Sequence, residues 1–180
     1  MLKLDISPKE EFDPVTSTFV SVKGQTLTLE HSLVSLSKWE SKYCKPFLSR
    51  DNKTREQLID YVECMTLTQN VDREVLEHIS DKEFKQIVDY IEAPMTATTF
   101  SETQKKPSRE IITAEILYYD MIALNIPMEC QKWHLNRLIT LIRVCSIKNS
   151  PKKKKMSKKA LAKRNASLNA ARRAATGSSG

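Results

Sequence analysis

Glycine is nearly missing from this chain. Its 180 residues include three, Gly24, Gly177 and Gly180. Tight turns and phosphate-cradling loops draw on glycine for backbone angles that other residues avoid. With Gly24 alone no Walker-type or dinucleotide fingerprint can be written, and a β-rich fold is not expected. Histidine is as sparse, with His31, His78 and His134. Only Cys130 and His134 stand one helical turn apart, and a zinc site needs three or four ligands in good geometry. A Cys–His nucleophilic pair would need an orienting group, and Asn136 is not at a helix-compatible position for that task. Both residues read as core, and no catalytic, cofactor-binding or metal-ligating set is assigned.

Long uncharged apolar runs are absent too. A spanning helix needs about 20 mostly apolar residues. The most apolar stretch is interrupted by Glu115 and Asp120, then by Lys132, Arg137 and Arg143, so no membrane association is expected. The N-terminus, MLKLDISPKEEF, lacks the apolar centre of a secretory signal. Cys44, Cys64, Cys130 and Cys145 lie far apart, and reduced thiols in a cytosolic compartment are the expectation.

Charge is present but unevenly spread. The chain carries 29 Lys and Arg against 22 Asp and Glu, a net +7. From Lys148 to Gly180 there are 8 Lys and 3 Arg with no acid, so this tail holds +11. The remainder has 18 bases (29 less 11) and 22 acids, or −4. A mildly acidic body bears a strongly basic tail.

What dominates the body is the stretch from Glu110 to Ile147. From Ile111 to Ile126 apolar residues occupy nearly every side of a helical wheel, the pattern of a helix surrounded by protein. Pro127 suits the first turn of a new helix and Glu129 its positive end. Leu135, Leu138, Ile139, Ile142 and Cys145 then form one apolar stripe. A helical hairpin or angled helix pair at the centre of the core is expected. Glu115 and Asp120 are expected to form ion pairs with Arg137 or Arg143, and Trp39, Trp133, Tyr118 and Tyr119 to be core or interface aromatics.

Upstream, Leu2, Leu4 and Ile6 alternate as a short strand ended by Pro8, with a turn at Phe12, Asp13 and Pro14. STFVSV and QTLTLE form a plausible hairpin about Lys23-Gly24. Helical spacing begins near Ser32 (Leu33, Leu36, Trp39, Glu40 and Tyr43) and stops at Pro46. Thr54 and Gln57 make a capping box for a helix burying Leu58, Ile59, Tyr61, Val62 and Met65. Asp72 caps a short helix through His78, and Asp81 another through Glu92, with Phe84, Ile87, Val88 and Ile91 inward. Residues 95–107, MTATTFSETQKKP, read as an exposed loop, with Ser108 as the next cap. The fold class is therefore mainly α: short strands over 1–30, a compact helical domain over 31–147, and a basic, flexible or conditionally helical tail over 148–180.

HSLVSLSKWESKYCKPFLS, YVECMTL, APMTATTF, ITAEILYYDMIALNIPMECQKWHLNRLITLIRVC and KRNASLNAARRAATG together resemble a family of small tailed-bacteriophage proteins, the tail assembly chaperones. The resemblance runs from Ser32 to Arg173, most specifically in IPMECQKWHLNRL and MTATTF. It implies a mainly helical, non-enzymatic protein of the host cell cytoplasm, absent from the finished virion. Such proteins coat the long helical tape measure protein, keep it soluble and recruit tail tube subunits. Many families also make a longer product by ribosomal frameshifting.

A client-binding surface of this kind is expected to be apolar, undemanding in sequence and rimmed by polar residues. Met95 and Phe100, and Phe19 and Val22 at the hairpin edge, are candidates, and self-association is possible. Two rival readings stand. One is a nucleic-acid-binding protein acting through Lys152, Lys153, Lys154, Lys155, Arg172 and Arg173, with phosphate contact but no sequence readout. The other is a structural tail or head–tail connector component.

Overall fold

The computed structural model describes residues 1–13, 18–100, 111–150 and 157–177, with the backbone alone for Lys9, 11–13 and 18–22. The fold is mainly α with a small N-terminal antiparallel sheet. The order is β1 (Leu2–Ile6), β2 (Lys9–Asp13), β3 (Thr18–Val22), β4 (Gln25–Leu29), then α1 (Leu33–Tyr43), α2 (Arg55–Met65), α3 (Arg73–Glu77), α4 (Asp81–Glu92) and α5 (Ala114–Ala123). A 3-10 turn (Met128–Lys132) leads to α6 (Leu135–Asn149), and α7 (Lys158–Thr176) follows. Two compact units divide near the end of α6, Met1–Lys148 and Asn149–Gly180.

The expected hairpin about Lys23-Gly24 does not form. β4 pairs with β1, Leu4 facing Leu27, while β3 pairs with β2, Phe12 facing Phe19. Both pairings share one register, so these strands are two arms of a single ribbon interrupted at Pro8 and Gly24. Pro8 has no N–H to give the ladder. A Cβ at Gly24 would stand 2.7 Å from Pro8 Cδ and 2.9 Å from the Ile6 carbonyl oxygen, so glycine here permits close passage rather than a turn. Phe12 and Asp13 belong to β2; Pro14 of the expected turn lies outside the described residues. Leu4, Ile6, Leu27 and Leu29 are buried on one face of the ribbon's inner half. The end of α2 closes its edge: Leu67 N–H donates to the Thr28 carbonyl and Glu30 N–H to that of Met65.

α1 is the element most others pack on, meeting α2, α5 and the 3-10 turn. Ser32 and Ser35 form its capping box, and Cys44 ends it in the left-handed region at φ 50°. Leu33, Leu36, Trp39 and Glu40 face inward. Trp39 Nε1–H donates to the Gln57 carbonyl of α2 at 2.8 Å, and Phe47 stacks on Tyr61 with centroids 3.7 Å apart. α2 opens on the Thr54–Gln57 capping box as its sequence predicts. α3 follows Asp72, whose side chain makes no capping bond. α4 is capped by Ser80 with Glu83 rather than by Asp81, because serine at that position closes the reciprocal box. Ile87 and Tyr90 are its buried residues, whereas Val88 is exposed.

The Glu110–Ile147 stretch departs most from expectation. α5 begins at Ala114, after an extended Thr113, and Ile111 and Ile112 stay outside it and exposed. The expected cap, Ser108, lies outside the described residues. α5 is not surrounded by protein: Ala114, Leu117 and Met121 are buried and the opposite face is open. Its start is set by Glu40, only 7 % exposed. Glu40 Oε1 accepts the Phe47 N–H at 2.9 Å and Oε2 the Ala114 N–H at 2.7 Å. Asn125, at φ 53°, ends the run, and Pro127 precedes a 3-10 turn instead of opening an α-helix. α6 then buries Leu135, Leu138 and Ile142, with Ile139 and Cys145 partly covered. Among the described residues no ion pair joins Glu115 to Arg137 or Arg143. The guanidinium groups instead cover the rings of Trp133 (4.2 Å) and Phe100 (4.0 Å).

Two outcomes follow in urea denaturation. Leu138→Ala and Ile142→Ala each lower the unfolding free energy by about 2–5 kcal/mol, the cost of large-to-small core changes. Glu40→Leu, which leaves two buried N–H donors unmatched, costs roughly 2–5 kcal/mol, and Glu40→Gln, keeping one acceptor, distinctly less. Midpoints near wild type would show that neither the stripe nor the carboxylate holds the core.

Candidate functional site

The positions singled out from sequence are scattered. Met95 is exposed, with φ 48°. Phe100 is half-buried beneath the Arg143 guanidinium, so it offers less apolar surface than a free loop tip. Phe19 and Val22 lie in β3, where the backbone alone is described. Lys152 to Lys155 lie outside the described residues. Arg172 and Arg173 are exposed on α7. Met95 and Phe100 share the segment after α4, Phe19 and Val22 share β3, and Arg172 and Arg173 share α7.

The interior holds two polar constellations that the sequence did not reveal. In the first, His31 and His134 meet with ring centroids 5.2 Å apart. The backbone brings them together: Ser32 and His134 form an isolated bridge, and Leu135 N–H donates to the His31 carbonyl at 2.7 Å. His31 Nδ1 shares a 2.6 Å hydrogen bond with the Tyr61 hydroxyl. His134 donates from Nε2 to the Tyr90 carbonyl (3.0 Å) and accepts the Asn136 N–H at Nδ1 (3.3 Å). That pattern requires the neutral Nε2–H tautomer, with Nδ1 acting as a cap for α6. Burial, then the neighbouring His134, lowers the His31 pKa to about 3. Burial lowers that of His134 as well, against the Tyr90 hydrogen bond. Cys130 is buried near the start of α6. Among the described residues no group of three or more His, Cys, Asp or Glu is placed to hold a metal ion.

The second constellation centres on Asp60, 2 % exposed. Lys42 and Tyr43 (2.5 Å) donate to its Oδ2, and Arg73 Nη2 stands 2.7 Å from Oδ1. Burial alone would raise this carboxyl, but Lys42, Tyr43 and Arg73 outweigh it and bring the pKa down to about 2. Asp60 therefore stays ionised and ties α1, α2 and α3 together. Both constellations knit elements to one another.

Chemistry directed outward resides on α5 instead. Tyr119 is 69 % and Ile122 68 % exposed, one helical step apart on the face opposite Leu117 and Met121. Ile111, Ile112 and Met128 are exposed at the two ends of the segment. Glu115, four residues before Tyr119, and Glu129 add exposed carboxylates nearby in sequence. Single exposed apolar residues are ordinary, but a large aromatic and a β-branched residue adjacent on one helix face make an adhesive surface. The sequence held one signal for it: Glu115 sits at i−4 from Tyr119 and marks that side of the wheel as solvent-facing. Among the described residues no helix is long and apolar enough to cross a membrane.

The paired histidines give a sign-definite pH dependence. Their folded pKa values lie below the unfolded value near 6.5, so between the two the unfolded chain binds more protons and stability rises with pH. The contribution of His31 is complete above about pH 6.5 and falls by up to about 1.4 kcal/mol per pH unit below it, and His134 acts in the same direction. Measured between about pH 7 and 5.5, above most carboxyl titration, the slope should become distinctly shallower in His31→Gln. Constant stability across that window would contradict the assignment. Comparison with protein-family models, with curated proteins and with solved structures finds no match for this chain.

Proposed function

We propose that this protein is a non-enzymatic tail assembly chaperone of a tailed bacteriophage, binding the tape measure protein in the host cytoplasm and helping to recruit tail tube subunits. The sequence resemblance supplies the family. The observation that carries the reading is the open apolar face of α5, Tyr119 and Ile122, with Glu115 on the same side. Such a face suits the apolar stripe of an amphipathic helix, and its carboxylate favours basic residues flanking that stripe. Burying two large side chains contributes roughly 1.5–3 kcal/mol each before ordering costs. That is weak for one site. It is appropriate for a protein that must coat a long client at many successive segments and later be displaced. Met95 is a further exposed apolar residue of the body.

Co-expression with the tape measure protein tests the reading. The client should become soluble and co-purify, and the association should survive nuclease and moderate salt. Tyr119→Ser with Ile122→Ser should reduce recovered client about tenfold, the size of a contact hot spot. Stability should change by no more than about 0.5 kcal/mol, since both side chains are exposed. Insoluble client beside abundant folded partner would remove the function.

A further inference from the structure

The basic tail contains α7, a helix of 19 residues from Lys158 to Thr176. Ser157 caps it by accepting the Ala160 N–H at 3.1 Å, and Gly177 closes it in the left-handed region. None of its residues is buried and it contains no acid. Lys158, Lys159, Lys163, Arg164, Arg172 and Arg173 are all exposed. Lys158 and Lys159 occupy the first turn, where the helix dipole is already positive and cations are disfavoured. This end therefore concentrates positive potential, relieved when an anion approaches. Ala160, Ser167, Ala171 and Ala174 recur on one face at helical spacing, flanked by Lys163 and Arg164, with Lys159 and Arg172 further round on either side and Lys158 and Arg173 on the far side.

We propose that α7 is a sequence-independent binding element for duplex nucleic acid, its lysines and arginines taking phosphates while the small-residue face allows close approach. An α-helix fits the major groove, whose walls carry phosphates on both sides. A helix of this length is about 28 Å long, enough to follow several phosphates. Alanine and serine on the approaching face read no base edge, so affinity comes without specificity. α7 has no aromatic residue, so it lacks the stacking platforms that favour single strands. An anionic bilayer is the less suitable polyanion, because interfacial helices bury a bulky apolar face, and α7 offers Leu161 and Leu168 alone beside its alanines. This role is separate from client binding by α5 and does not rest on it.

The test measures binding of the full chain to a labelled duplex of arbitrary sequence, about 20 base pairs long, across salt. With phosphates neutralised by Lys159, Lys163, Arg164 and Arg172, log affinity against log salt should slope at about −3.5 or steeper, a loss of roughly a hundredfold between about 50 and 200 mM salt. The combined variant Lys158→Gln, Lys159→Gln, Lys163→Gln and Arg164→Gln should make the slope shallower by about 2.5 to 3. Circular dichroism should show helix retained, since glutamine forms helix about as well as lysine. Arginine at the three lysine positions should preserve the slope. The Gln variant should still recover the tape measure client, so failure here and failure of the chaperone reading are distinct. The proposal is overturned by no duplex binding at about 50 mM salt, by an unchanged slope in the Gln variant, or by preference for a single strand of equal length. It is equally overturned if anionic vesicles bind more tightly than duplex and Leu161→Ala with Leu168→Ala abolishes that binding.

Discussion

A carboxylate with almost no access to water sets much of this architecture. An ionised side chain in an apolar interior is costly unless directed donors replace its hydration. Glu40 meets that condition with two backbone N–H groups, Phe47 early in the α1–α2 connection and Ala114 at the start of α5. The second lies at the positive end of a helix, where an anion is favoured. One side chain on α1 thereby fixes both how the chain leaves α1 and where α5 begins. Starting α5 at Ala114 fixes its rotation: Ala114, Leu117 and Met121 turn inward, leaving Tyr119 and Ile122 outward. The apolar face read here as the client surface follows from a buried hydrogen-bond requirement elsewhere.

The other interior polar groups obey the same logic. Asp60 gathers α1 and α3 cations around α2, and its ring of donors keeps it charged despite burial. His134 satisfies its neighbours only while neutral, because its Nδ1 must accept an N–H. Small cores gain little from area alone. Here the polar constellations specify which helices meet, while Leu, Ile and Trp39 supply the burial.

What could be read from sequence was local. Thr54 with Gln57, and Leu135, Leu138 and Ile142 along α6, are set by neighbours within a few residues, and the structure has them as expected. Pairing at a distance was not legible. QTLTLE and STFVSV flank a glycine and look like a hairpin, yet one ribbon register takes each to an earlier strand, and Pro8 opposite Gly24 is the reason. The apolar wheel of Ile111–Ile126 suggested burial on all sides; periodicity cannot tell a surrounded helix from one with an uncovered face. His31 and His134 are remote in sequence, so only the Ser32–His134 bridge reveals them as neighbours. For the candidate contacts, Met95 keeps its exposure whereas Phe100 is partly taken by Arg143, a cation–π contact with no local sequence mark.

The separation of charge bears on how two binding activities can share one small protein. On the proposed reading the two contacts respond differently to ionic conditions. Apolar burial at α5 is little affected by ordinary salt, whereas phosphate contacts by α7 weaken steeply as counterions compete. The bases of α7 are confined to a helix with no acid and no buried residue, while the exposed face of α5 carries its own carboxylate, Glu115, on the side of Tyr119 and Ile122. On the proposed reading that carboxylate favours basic amphipathic helices and repels polyanions, so the face discriminates by repulsion as well as by fit.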